Sequence, residues 1–93
     1  MAYSYSKKDV IVAIKKLFFD KKIGKILNIL NDYKSDSYRV HLAILKLSQG
    51  NYEKLIEYTN KAKVDFRDVL WWAEYDHAKD GIQIDQPYED LIE

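Results

Sequence analysis

The sequence predicts an all-α protein, a compact array or bundle of about five short helices followed by a C-terminal tail. Three observations predict it. Apolar side chains recur at i, i+3 and i+4 spacing in five successive stretches. One proline and three glycines in 93 residues are too few for the turns of a β sandwich. Hydrophobic residues at 47% beside 32% charged suit a water-exposed globule with a single core. The expected organisation is one helical domain over residues 1–81 and a tail over 82–93, docked or partner-bound.

The first helix opens at Ser6, which with Asp9 three residues on has the form of a capping box. Val10, Ile14 and Leu17, flanked by Ile11, Ala13 and Phe18, then form a stripe to about Phe19, with Lys8, Lys15 and Lys16 outside. In the second helix Ile23, Ile26, Leu27, Leu30 and Tyr33 share one face, and Gly24, Lys25, Asn28, Asn31 and Asp32 occupy the other. A break at residues 34–37 ends it, and Asp36 or Ser37 can cap a third helix that runs to about Gln49 and stops at Gly50. There Tyr38, Val40, Leu42, Ile44, Leu45 and Leu47 fill nearly the whole wheel, and only Arg39, Lys46 and Ala43 share a side. This helix is expected to be the central one.

Asn51 caps a fourth helix with a narrower stripe of Tyr52, Leu55, Ile56, Thr59 and Ala62. Asp65 and Asp68 mark the start of a fifth, expected over Phe66 to about Lys79 and closed by Gly81. Beyond it Ile82 and Ile84 alternate with polar residues, Pro87 blocks a helix, and Tyr88, Leu91 and Ile92 have helical spacing over barely one turn. So short a turn has no stability of its own and must gain structure by docking.

The stretch from Gln49-Gly50-Asn51-Tyr52 through Leu55, Tyr58 and Lys61-Ala62 resembles the turn and second helix of a tetratricopeptide repeat, with Leu55 where that family favours a small residue and Arg67 in place of its terminal proline. What this resemblance implies is helix-hairpin geometry, because no second copy at a spacing of ~34 residues is present. A second resemblance spans residues 39–75. Leu42, Leu45-Lys46-Leu47-Ser48, Gly50, Lys54-Leu55, Ala62-Lys63, Asp65, Arg67-Asp68-Val69-Leu70 and Trp72-Ala73-Glu74-Tyr75 are similar to a group of short all-helical bacterial proteins with no assigned activity. It implies a bacterial, cytoplasmic protein and carries no catalytic or binding residue over.

Fifteen Lys and Arg balance fifteen Asp and Glu, which removes the overall basic charge of a dedicated nucleic-acid module. The balance conceals a gradient. Residues 1–63 hold thirteen cationic against six acidic side chains, and residues 64–93 two against nine. Opposite ends of this kind attract, within one chain or between two, and the acidic end limits nonspecific anion binding. No cysteine is available for a disulfide, a thiolate metal site or a nucleophile. The longest apolar run, residues 10–14, is too short for a signal sequence or a membrane span, so a cytoplasmic location is expected.

Chemistry has few carriers. His41 lies at the edge of the third helix's apolar arc, where a structural role outweighs general-base chemistry. Glu74 and His77 have the Glu-x-x-His spacing of di-iron bundles, but such sites need a second copy and two more glutamates. There is no nucleophile elbow, and Gly24, Gly50 and Gly81 are too isolated for a phosphate loop. No catalytic, cofactor or metal residue is assigned, and the expectation is a non-enzymatic protein. The fifth helix carries the candidate site. With Phe66, Val69, Leu70, Ala73 and His77 turned inward, Trp71 and Tyr75 fall at about 140° and 180° from Phe66, and Trp72 on a flank at about 240°. Arg67, four residues before Trp71, is within cation–π reach. Arg67, Trp71, Trp72 and Tyr75 are the expected partner-binding residues, for a protein partner or a second copy in a homodimer. The alternative is an accessory anion or nucleic-acid-binding protein using the lysines of the first two helices.

Overall fold

In the computed structural model, which describes residues 5–18, 23–32, 38–76 and 81–92, the chain is an all-α array. The helices are α1 (Lys7–Phe18), α2 (Ile23–Asp32), α3 (Tyr38–Ser48), α4 (Tyr52–Glu74) and a one-turn α5 (Glu89–Ile92). Two-residue strands β1 (Tyr75–Asp76) and β2 (Ile82–Gln83) pair antiparallel, Tyr75 opposite Gln83 and Asp76 opposite Ile82. The Cα radius of gyration of 12.3 Å is that of a chain packed around one core, for which about 12 Å is expected at this length.

The helix starts follow from local side-chain hydrogen bonds. Ser6 N–H donates to Asp9 Oδ2 at 3.0 Å and Asp9 N–H to Ser6 Oγ at 3.3 Å, closing the capping box of α1. Asn51 Oδ1 accepts from Lys54 N–H at 3.0 Å and starts α4. Between α3 and α4 the chain reverses through Gln49 and Gly50, both at positive φ. Gly50 is required there, because a Cβ would lie 2.8 Å from the Leu17 carbonyl oxygen at the end of α1.

Helix α3 lies at the centre, packed most extensively along α4 and also against α1, while α1 touches α2 and α5. Val40, His41, Leu42, Ala43, Ile44, Leu45 and Ser48 are all buried. The side holding Arg39, Ala43 and Lys46 is only partly open to water. Ala43 is fully covered, and both cations reach across to the end of α4. Tyr33 and residues 34–37, with the expected caps Asp36 and Ser37, lie outside the described residues.

The expected boundary at Asp65 is a kink. Asp65 is extended (φ −156°, ψ 104°), and its Oδ1 accepts from Arg67 N–H at 3.0 Å, so arms 52–64 and 66–74 meet at an angle within α4. Three expectations fail around it. Helical spacing puts Phe66 inward, but it is 43% exposed at the kink, directly after the extended Asp65. Ile56 leaves the buried stripe for the surface. The fifth segment does not continue as helix toward Lys79. It ends at Glu74, where Tyr75 becomes extended and its N–H caps the Trp71 carbonyl, and the chain turns into β1. The reversal gains backbone hydrogen bonds from the returning chain: Gly81 N–H donates to Asp76 O at 3.0 Å and Ile84 N–H to Glu74 O at 2.8 Å.

Candidate functional site

The second arm of α4 has two sides. Its inner side seats Val69 and Ala73 in the core and ends on Glu74, which is 1% exposed. Its outer side carries the residues singled out in the sequence. Trp71, 45% exposed, stacks on Tyr75 with ring centroids 4.3 Å apart and a 33° tilt. The Trp71 ring also lies over Gly81, where a Cβ would come within 3.2 Å of it, so the bare glycine lets the hairpin close against the indole. The wheel's outward placement of Trp71 agrees with this exposure. The expected helical stacking of Trp71 and Tyr75 is realised differently, from the last helical turn to the first strand residue.

Trp72 occupies the opposite flank, 38% exposed and edge-on to Tyr58 with centroids 6.1 Å apart. Lys61 Nζ lies 5.5 Å from the Tyr58 ring centre and 5.3 Å from that of Trp72, and 3.4 Å from Glu57 Oε2. The Tyr58–Lys61 half of this arrangement is ordinary i, i+3 helix geometry. Its Trp72 half crosses the Asp65 kink and has no sequence signal. Arg67, expected near Trp71, turns back on the kink residue: Nε and Nη2 donate to the two Asp65 carboxylate oxygens at 3.0 Å each. That bond is the main reason the Asp65 carboxyl is held below, and the Arg67 guanidinium above, its ordinary pKa.

Behind this surface is a buried polar cluster that the sequence did not announce. Glu74 accepts from Arg39 Nε at 2.7 Å and from Arg39 Nη2, and its Oε2 also accepts from the Tyr88 hydroxyl at 2.6 Å. Tyr88 is fully buried, edge-on to Tyr5 at 5.4 Å, with Lys46 Nζ 5.9 Å above its ring. Lys46 Nζ donates to Ala73 O at 2.6 Å, one of the carbonyls left open at the helix end. Burial, and next the bond to Glu74, push the Tyr88 phenol far above its usual pKa. The Glu74 bond raises Arg39 further, and burial lowers Lys46 against the pull of Glu74 and Asp90. The one hint was a glutamate directly after core residue Ala73 in an apolar run.

His41 is buried and edge-on to Tyr38, ring centroids 6.0 Å apart. His77 lies outside the described residues, so the Glu74–His77 spacing is not placed; Glu74 itself is committed to Arg39 and Tyr88. Among the described residues no group of three His, Cys, Asp or Glu is placed to hold a metal, and no helix is long and apolar enough to cross a membrane. The chain matches no family model, no curated protein and no solved structure.

Proposed function

We propose that this chain is a small non-enzymatic helical protein-interaction module, self-associating as a homodimer through the outer face of the second α4 arm. Trp71, Trp72 and Tyr75 are its contact residues, with Arg67 at the rim. The observation that supports this reading is the distribution of large exposed apolar side chains. Of Ile56, Val64, Phe66, Trp71, Trp72 and Ile82, all but Ile56 fall within residues 64–82. Exposed large apolar side chains concentrated in one stretch of a small domain point to an interaction site, and tryptophan and tyrosine are the anchors that interfaces favour. A two-fold arrangement lets the same patch cover itself. Sedimentation of wild type and Trp71→Ala tests it: a concentration-dependent dimer for wild type and a monomer for the variant, both equally helical, is the expected result. A wild type that stays monomeric at every concentration, with Trp71 fully open to a water-soluble quencher, defeats it.

A second reading has its own support. Lys7, Lys8, Lys15, Lys16 and Lys25 all lie exposed on α1 and α2, a surface suited to a polyanion. Binding through them falls steeply with added salt, whereas association through aromatics barely responds, so a salt titration separates the two.

A further inference from the structure

The segment 84–92 is built like a bound ligand. Its buried residues, Pro87, Tyr88 and Leu91, are spaced among exposed polar ones, Asp85, Gln86, Glu89 and Asp90. Its only helix, α5, is four residues long and cannot persist by itself. It is shaped by the slot it lies in, made by α1, α3 and the end of α4. That slot reads tyrosine specifically: the ring passes Tyr5 and Lys46, and the hydroxyl ends on the buried carboxylate of Glu74, itself held by Arg39. A phenylalanine in the same place leaves a buried acceptor with one fewer donor, which sites of this kind reject strongly. Charge agrees. Residues 82–92 carry Asp85, Glu89 and Asp90 and no cation, and α5 packs on α1, whose Lys7, Lys8, Lys15 and Lys16 are exposed.

We infer that this slot is a recognition site for a Tyr-x-x-Leu segment, and that the segment it takes from outside is the identical one of a second copy of this chain. The inference rests on the self-association proposed above and names a second contact for it, the reciprocal exchange of residues 84–92. A second copy is the favoured occupant because its segment restores every contact just described, and exchange between identical chains closes under two-fold symmetry without new surface. In an isolated chain the tethered segment competes at an effective concentration in about the millimolar range, so exchange is concentration-dependent.

The test uses the full chain with Tyr88→Ala, which vacates the slot, and a fluorescent peptide of residues 81–92. The variant is expected to bind the peptide at least about tenfold more tightly than wild type, whose slot is filled. A peptide with phenylalanine at position 88 should bind at least about tenfold more weakly than the tyrosine peptide. A helical Tyr88→Ala chain that binds neither peptide, or both equally, overturns the inference. If Tyr88→Ala loses its helical signal, wild type decides. Refolded at millimolar concentration it should yield a dimer that survives dilution, and Trp71→Ala should yield it too. Only monomer after such refolding overturns the exchange. An exchanged dimer in Trp71→Ala, with no dimer formed without refolding, would instead remove the aromatic face and leave the slot standing.

Discussion

Helix α3 and the second arm of α4 are both rich in large apolar side chains, yet α3 hides nearly all of its own and the arm shows two tryptophans to water. The difference is one of neighbours. α3 has α1 on one side and α4 along another, and the returning segment 84–92 brings Tyr88 over its charged edge. The arm has α3 behind it and, among the described residues, a two-residue-strand hairpin beside Trp71 and the first arm's Tyr58 beside Trp72, so Val69 and Ala73 are buried and Trp71 and Trp72 stay partly exposed. Apolar composition measures what could be buried; the number of packed neighbours decides what is.

The sharpest way to break this contrast is Leu45→Ala at the centre of α3. It should cost about 2–5 kcal/mol, a large share of the roughly 5–14 kcal/mol available to a chain of this length. Melting within a degree or two of wild type would remove α3 from the centre. Next is Arg39→Met, which leaves the Glu74 carboxylate with Tyr88 alone. Full burial of such a pair would make the loss about 3–5 kcal/mol, and the 40% exposure of the Arg39 side chain reduces the expectation to about 2–3 kcal/mol in denaturant titration.

Tyr88→Phe removes one donor from Glu74 and should cost about 1–2 kcal/mol at neutral pH. Its pH dependence sharpens the comparison. The folded phenol keeps its proton well above the ordinary value of about 10, so above that pH the unfolded chain binds fewer protons than the folded one, and this contribution to stability falls as pH rises. Lys46, lowered by burial, runs the other way: the unfolded chain holds its ammonium proton longer, so stability gains between the lowered value and about 10.4. Since Lys46 is common to both proteins, the gap between wild type and Tyr88→Phe should narrow above about pH 10. A gap constant from pH 7 to 11 would mean that the Tyr88 phenol is neither buried nor held by Glu74. The smallest effect on folding is at the exposed face. Trp71→Ala should change unfolding free energy by less than about 1 kcal/mol while loosening the proposed dimer, and a loss as large as that of Leu45→Ala would mark Trp71 as core.

Much of this was legible in local pattern. The capping pair Ser6 and Asp9, the Asn51 cap, the stripe Val10, Ile14 and half-buried Leu17, and the turn at Gly50 each depend on residues at most a few positions apart, and each formed as the spacing implied. Wheel angle alone puts Trp71 on the surface, and its exposure agrees. The same kind of argument puts Phe66 inward, yet it is exposed: it is the first residue of the arm, directly after the extended Asp65, and a wheel angle does not fix which element lies alongside it.

The sequence by itself determined the helices through short-range hydrogen bonding and apolar period, and with them the all-α class. Tertiary structure alone decided where α4 stops and what its last residue does. Glu74 and Tyr88 are fourteen residues apart, and Arg39 and Glu74 thirty-five. No local propensity records that a phenol from 84–92 and a guanidinium from α3 will share one carboxylate. Once they do, the buried charge is satisfied only if the chain leaves the helix after Glu74 and turns back, and this long-range requirement overrides the helical spacing of the residues that follow.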